Sequence, residues 1–500
     1  MSFTVGRRIT AGARSVCRGV GYVVAVSILI GLGVRVVEAA TLCVNKNGAH
    51  GCFTTVQAAI DAVSSSNSTI TVGPGSYTAA CGGPGCSVAV ISAAAANGSA
   101  LSGLTLLCNN GKLTHSVFLD ATGLNHAVAV SGVSQVTIAG CIAENAAREG
   151  ILIENSDNSY IANNEVTGND LAMGLTIGTG SPACPTFTPP GTGGAIQCCP
   201  DAAAGGPGNF PNDNDDCGEG IHLRGVTNSV LQGNLVHNNI GGILLSDETG
   251  PNSNNLVAGN ASKDNTAFGG DCGVTLASHV ACAGGADDVT GCTLAPASPP
   301  YGVFHDVVDG NLLTDNGASG AGVFANPGIP PGSATAAYAN QISNNTVENN
   351  GQPGIAIHVH AANGNADNNV IVGNTVGGNG GDSEATPVSH PPGLGIEVLS
   401  NGDFGGPFGS AAPIAGTLIS HNSVSNQDID VWIGNNATTA NVALNNLTGK
   451  HATGVNNAGS GSVTATGNYW GCPSGPNTSR CTSTSGTVVS SPFVSQSLKY

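Results

Sequence analysis

The sequence predicts an all-β fold, a parallel β-helix (solenoid), and two recurrences predict it. Asparagines stand at 164, 234, 260, 311, 345, 374, 422, 446 and 468, each two residues ahead of an apolar, aromatic or turn position, and in six of these phrases a second asparagine follows five residues later, at 169, 239, 265, 316, 350 and 379. Short glycine-led strands recur beside them at Gly150, Gly174, Gly220, Gly242, Gly322, Gly354 and Gly395. In three coils the offset from strand glycine to asparagine is 14 residues (150 to 164, 220 to 234, 454 to 468). One short coil cannot bury its apolar face alone, so a fixed period of this kind asks for stacking. Residues 340–360, NQISNNTVENNGQPGIAIHVH, hold the whole unit: asparagine, alternating strand, asparagine, glycine, alternating strand.

Composition agrees. Across 500 residues there are 75 glycines, 9% charged and 4% aromatic residues, with 40% hydrophobic content and a mean hydropathy of +0.11. Glycine alone would suggest a solvated coil, but the apolar content points to thin, densely turned β-structure. A β-propeller, the runner-up, wants blades of about 40–45 residues with aromatic signatures, and these are absent.

In chain order, residues 1–39 read as a secretory signal peptide: Arg7, Arg8, Arg14 and Arg18 form a basic region, Val20 to Val34 an apolar one, and Val37-Glu38-Ala39 offers small residues for cleavage. An uncleaved anchor is the alternative, but about fifteen apolar residues are short for a span of about 20, so no stable membrane span is expected. Arg7-Arg8 is only a weak twin-arginine signal. Removing the leader takes five of 13 basic residues and Glu38 of 31 acidic ones, leaving 8 and 30 and a formal charge of −22. That excludes nucleic acid, which needs a basic footprint, and repels acidic polysaccharides unless a cation bridges them. The expected location is secreted, periplasmic or at the cell surface, and the expected state a monomer.

Residues 40–135 read as an N-terminal cap with the first coils. Val56, Ala59, Ile60 and Val63 stand at helical spacing and predict one short amphipathic helix; Ile70 to Val72 predicts a strand that ends at Pro74-Gly75. Residues 136–470 are the repeats, and 471–500 a C-terminal capping segment. Fifteen cysteines remain after the leader, with close pairs at Cys43 and Cys52, Cys81 and Cys86, Cys472 and Cys481. In an exported chain these read as disulfides pinning loops, and no zinc-type Cys/His spacing appears.

The helix-strand-PGxY opening, and the closing Gly467-Asn468-Tyr469-Trp470-Gly471-Cys472-Pro473 with Gly475-Pro476, resemble the two ends of secreted right-handed parallel β-helix proteins of the pectin-lyase-like superfamily. The resemblance spans residues 41 to 500. It implies a right-handed helix and a polysaccharide or cell-surface glycan as partner.

Counting along the strands places candidate residues on one outward face, since alternate residues face opposite sides. Phe304, Asp306, Phe324, Asn326 and His358 form a predicted sugar-binding groove, aromatic faces beside hydrogen-bonding groups. Long insertions at 179–219 and 263–300 can wall it, or merely thicken the wall. Asp213, Asp215, Asp216 and Glu219 form an oxygen-rich run that can hold Ca²⁺, but it lacks the spacing of an EF-hand loop, and a plain solvated acidic turn is the favoured reading. His222 and Arg224 stand beside it. In related lyases an arginine or histidine abstracts the proton next to a Ca²⁺-neutralised uronate, which would suit either residue, or both are plain β-wall residues. Glu397 and Asp430, if on adjacent coils, sit near the ≈ 5–5.5 Å carboxyl separation of retaining glycosidases. The chain departs from its relatives: the Gly-His-Gly and Arg-x-Lys runs of polygalacturonases and the Asp-Pro-His-Asp phrase of mannuronan epimerases are missing, and His305-Asp306 and His358-Val359-His360 only echo the latter. Two classes follow, a lyase- or hydrolase-like polysaccharide enzyme and a non-enzymatic structural or surface-binding β-helix.

Overall fold

The computed structural model describes residues 39–79, 86–169, 219–266, 271–278, 301–325, 334–359, 362–382, 393–400, 411–435, 437–449, 453–459 and 461–500, with two short strands at 186–187 and 196–197. They belong to one compact unit, Ala39 to Tyr500. The leader expected over residues 1–39 lies almost wholly outside the described residues. Among those described, no helix is long and apolar enough to cross a membrane.

Three long parallel sheets, of fourteen, twelve and eleven strands among the described residues, carry the unit. Each coil gives one strand to each sheet. Ile355–Val359 joins the twelve-stranded sheet, Val370–Val372 the fourteen-stranded one and Thr375–Gly377 the eleven-stranded one, before the chain returns to the second sheet at Leu394–Ser400. Pairing is in register, with Ile355 opposite Ile396 and Ile357 opposite Val398. The architecture is a right-handed parallel β-helix.

Alternation fills the interior. Ile355, Ile357 and Val359 join the continuous core, while Ala356 and His358 point to the other face. At the N-terminal end the helix Val56–Asp61 covers the first coil, burying Val56, Ala59 and Ile60; Val63 is buried just beyond it. Thr55 caps the helix, its side chain accepting from the Ala58 N–H at 3.2 Å.

Asparagines hold the corners. Between the fourteen- and eleven-stranded sheets Asn164, Asn234, Asn260, Asn311, Asn345, Asn374, Asn422, Asn445 and Asn468 stack, each Oδ1 taking the backbone N–H of the preceding coil's ladder residue at 2.7–3.0 Å. Asn445 fills the place that the sequence assigns to Asn446, because the residue before each rung turns through positive φ and here that residue is Leu444 (φ 59°). Elsewhere Asn or Gly takes that position, as the left-handed region favours, except before Asn422, where it is His421 (φ 58°). The second set, Asn169 to Asn379, stacks at the next corner. A third ladder, unread in the sequence, runs through Ser159, Ser229, Asn255, Asp306, Asn340 and Asn369.

The strand-leading glycines are required by close approach, not by φ. A Cβ on Gly354 would meet Val376 Cγ1 at 2.6 Å and Asn379 Nδ2 at 2.7 Å. Disulfides Cys43–Cys52 and Cys472–Cys481 form as the spacing predicts, and Cys108–Cys141 ties two successive coils. Cys81 lies outside the described residues.

Candidate functional site

The outward face of the twelve-stranded sheet carries buried charged and histidine side chains, among them Glu154, His222, Arg224, His358 and Glu397. Strand register fixes two adjacent rows there. One runs Leu152, His222, Leu244, Thr275, Gly322, Ala356, Glu397, Trp432; the other Glu154, Arg224, Ser246, Ala277, Phe324, His358, Leu399, Gly434.

This corrects three predicted placements. Gly320 and not Gly322 leads its strand, which puts Phe324 in the row of His358. Glu397 stands opposite Trp432, not Asp430. Asp430 lies two residues earlier, in the place that glycine holds in the neighbouring coils, and it is fully buried there. Its Oδ2 accepts from the Gly449 N–H at 3.2 Å while Oδ1 has no partner, and burial raises its carboxyl well above the usual range. Phe304 and Asp306 leave the groove altogether. Phe304 sits in a separate four-stranded sheet, stacked on Tyr338 at 5.3 Å, and Asp306 is a rung of the third ladder. Asp306 Oδ1 accepts from Asn255 N and Nδ2 at 2.8 and 3.0 Å, Oδ2 has no partner, and burial pushes its carboxyl up to about 7. Asn326, Asp213, Asp215 and Asp216 lie outside the described residues.

What the face brings together falls into two groups. The first is on the coils of residues 126–248. Glu149 lies between two imidazoles, 3.1 Å from His126 Nδ1 and 3.3 Å from His222 Nδ1, and Nε2 of His222 meets Ser246 Oγ at 2.8 Å. Burial opposes the charge on Glu149, but the two histidines outweigh it and hold the carboxyl well below its ordinary value. Glu219 joins this group, each residue offering a donor atom within 4.8 Å of the others. Arg224 is clamped between Glu154 (3.1 Å) and Glu248 (3.3 Å), a buried ion triad.

The second group is His358, Asp382 and Glu397, again with donor atoms all within 4.8 Å. His358 Nε2 and Glu397 Oε2 are 3.2 Å apart. Phe324 sets its ring edge-to-face against the imidazole at 5.4 Å and is the partly exposed member. Trp432 follows Glu397 in its row, with an indole N–H that has no hydrogen-bond partner. Five strand steps separate His222 from Glu397, about 24 Å at about 4.8 Å per step. The floor between them is low, with Thr275, Ala277, Gly322 and Ala356.

Sequence reasoning missed Asp382, Glu149 and His126. Asp382 lies beyond the end of a strand, three residues after the rung Asn379, where no alternation marks a direction. Glu149 directly precedes a strand-leading glycine, and that adjacency is the one signal available.

No family model and no curated protein matches this chain. Solved structures similar in fold include a mannuronan C-5 epimerase A-module from Azotobacter vinelandii (14% identity, 87% of this chain and 94% of that one, TM-score 0.40). A GH87 α-1,3-glucanase catalytic unit from Streptomyces thermodiastaticus has 14% identity over 89% and 66%, TM-score 0.42. An alginate lyase from Paenibacillus has 12% identity over 90% and 98%, TM-score 0.31.

Proposed function

We propose that the protein binds a neutral polysaccharide along the outward face of the twelve-stranded sheet and hydrolyses it at Glu397 and Asp382. One observation carries the reading: two carboxylates and an imidazole converge within 4.8 Å beside the aromatic rings of Phe324 and Trp432. Retaining glycosidases hold their carboxyls about 5–5.5 Å apart, inverting ones about 6.5–9.5 Å. Glu397 and Asp382, with carboxylate oxygens within 4.8 Å of each other, stand nearer the retaining separation than the inverting one. The acidic mature chain repels polyuronates, which favours a neutral glycan. Aromatic rings with a few convergent polar groups are the ordinary lining of such sites.

Glu397, which meets the His358 imidazole at 3.2 Å, acts as nucleophile on the anomeric carbon. Asp382 gives its proton to the leaving glycosidic oxygen, then takes one from the water that releases the sugar. His358 is a positioning residue that orients Glu397. The unpartnered Trp432 indole N–H supplies a donor for a sugar hydroxyl.

A second reading, a glycan-binding or structural β-helix without chemistry, is favoured by burial: Glu397 is 0% and Asp382 1% exposed. A panel of neutral and uronate polysaccharides separates the two, with reducing ends and ultraviolet absorbance followed together. Hydrolysis predicts new reducing ends without unsaturation, lost in Glu397→Gln and Asp382→Asn and kept in Asp430→Asn. Unsaturated products would move the reaction to elimination; a folded protein silent on the whole panel would favour the binding reading.

A further inference from the structure

We propose that Glu149, Glu219 and His222 bind one divalent transition-metal ion of the zinc type. The site is about 24 Å from Glu397, counting strand steps of about 4.8 Å, and is independent of the hydrolytic reading. The three residues come from two consecutive coils. Glu149 directly precedes the strand Ile151–Glu154 by way of Gly150, and Glu219 and His222 lie on the next strand of the same sheet, Glu219–Arg224. Each offers one donor atom, and these atoms all lie within 4.8 Å of one another.

The spacing is what an ion would impose. His222 Nδ1 and Glu149 Oε1 are 3.3 Å apart, long for a charge-assisted hydrogen bond, which runs at about 2.7–2.9 Å. A tetrahedral ion with bonds of about 2.0–2.1 Å separates its ligands by about 3.3–3.4 Å. The other ring nitrogen of His222 is held by Ser246 Oγ at 2.8 Å, the outer hydrogen bond that fixes a metal-binding imidazole in orientation. In the tautomer whose Nε2–H donates to Ser246 Oγ, Nδ1 faces Glu149 Oε1 with its lone pair, an arrangement that a shared cation satisfies.

Burial adds a second, separate indication. Glu149 is 3% exposed and Glu219 1%, so two carboxylates are packed together out of water, with His126 Nδ1 3.1 Å from Glu149 Oε2 on the side away from His222. The guanidinium of Arg224, on the same strand as His222, is already engaged by Glu154 and Glu248. Two buried carboxylates with one imidazole nitrogen suit a borderline ion such as Zn²⁺; Ca²⁺ wants six to eight oxygens. The bound ion would join the two chain segments that flank residues 170–218.

The test is calorimetric titration of the full, oxidised chain, stripped with a chelator, using ZnCl₂ and separately CaCl₂. The expected result is one Zn²⁺ site, with Ca²⁺ at least about 100-fold weaker and Zn²⁺ binding weakened by about 100-fold or more in Glu219→Gln and in His222→Asn, judged against the 10- to 100-fold cost of outer-shell changes. His358→Ala should leave the titration unchanged. No Zn²⁺ binding, a Ca²⁺ preference, unchanged binding in the two variants, or loss in His358→Ala instead would each overturn the assignment. Should the variants fail to fold, X-ray absorption of the zinc-loaded wild type decides. A shell of nitrogen and oxygen at about 2.0–2.1 Å with one imidazole supports the site; sulfur, or two or more imidazoles, overturns it.

Discussion

Replacing Asp306 by Asn should stabilise the protein, and the gain should grow with pH. Asp306 is the one carboxylate among the asparagines of the third corner ladder. Its neighbours Asn255 and Asn340 use their amide NH₂ to reach the carbonyls of Val226 and Val303 at 2.8 and 3.0 Å. Asp306 puts a bare oxygen in the corresponding place, and that oxygen has no partner. Burial raises its carboxyl from 3.8 to about 7. The folded state therefore holds this proton more tightly than the unfolded chain does. Stability from this group is complete below pH 4 and is lost as pH rises from about 4 towards 7. A gap of that size corresponds to a cost of about 2 kcal/mol at pH 5 and about 4 kcal/mol at pH 7, at 1.36 kcal/mol per unit. Asn carries no proton to lose and adds the missing donor, so Asp306→Asn removes the pH-dependent cost. Urea unfolding of both proteins at pH 4, 5, 6 and 7.5, followed by the buried Trp432 and Trp470, reads the difference. An advantage for the variant that does not change with pH, or a wild type that is the more stable at pH 7.5, would refute the reasoning.

Three further outcomes follow from the same geometry. Asn311→Ala removes an amide that accepts twice from Asn260 and donates to Val257 O and Asn345 Oδ1, so a loss of about 2–3 kcal/mol in denaturant unfolding is expected from the buried groups left unsatisfied; a loss below about 0.5 kcal/mol would show the ladder to be incidental. Leu444→Gly relieves a branched side chain held at φ 59° on a half-exposed corner and should raise stability by about 1 kcal/mol in urea unfolding; a loss instead would mean that the Leu444 side chain's packing outweighs its backbone strain. Breaking Cys108–Cys141 by the double Ala variant opens a separation of 33 residues and should cost about 3–4 kcal/mol on the chain-entropy account; unchanged unfolding would mean that the ladders alone hold those coils.

The fold was legible because its determinants are local and repeated. A corner asparagine, an αL residue before it and an alternating strand each speak for themselves at Asn345 or Ile355. The site was legible only in part. His222, Arg224, Phe324, His358 and Glu397 stand out as polar or aromatic residues on an outward strand face, and they do lie there. Their partners depended on register, which one misplaced glycine alters: starting the strand at Gly322 instead of Gly320 shifts every position counted along it by two. Asp430 misled for the same reason, a carboxylate where the pattern wants glycine. Asp306 looked like a groove residue because the short segment before it, Val303–Phe304, belongs to the small fourth sheet and not to the long one. Asp382 carries no periodic mark at all, since it lies in a connection where side-chain direction follows from tertiary context.

The corner ladders have one more consequence. Every rung presents the same chemistry upward and downward, so the helix has an approximate translational symmetry in which a coil is an interchangeable slice. Asn345 and Asn374 are 29 residues apart and occupy equivalent places in successive slices. Excising residues 345–373 would set Asn311 directly against Asn374 with its bonding intact, shortening the rod by one layer without changing its construction. His358 would leave with that slice and Glu397 would face Phe324's coil instead. Length in this molecule can thus be edited in whole layers, while its chemistry depends on which layers are neighbours.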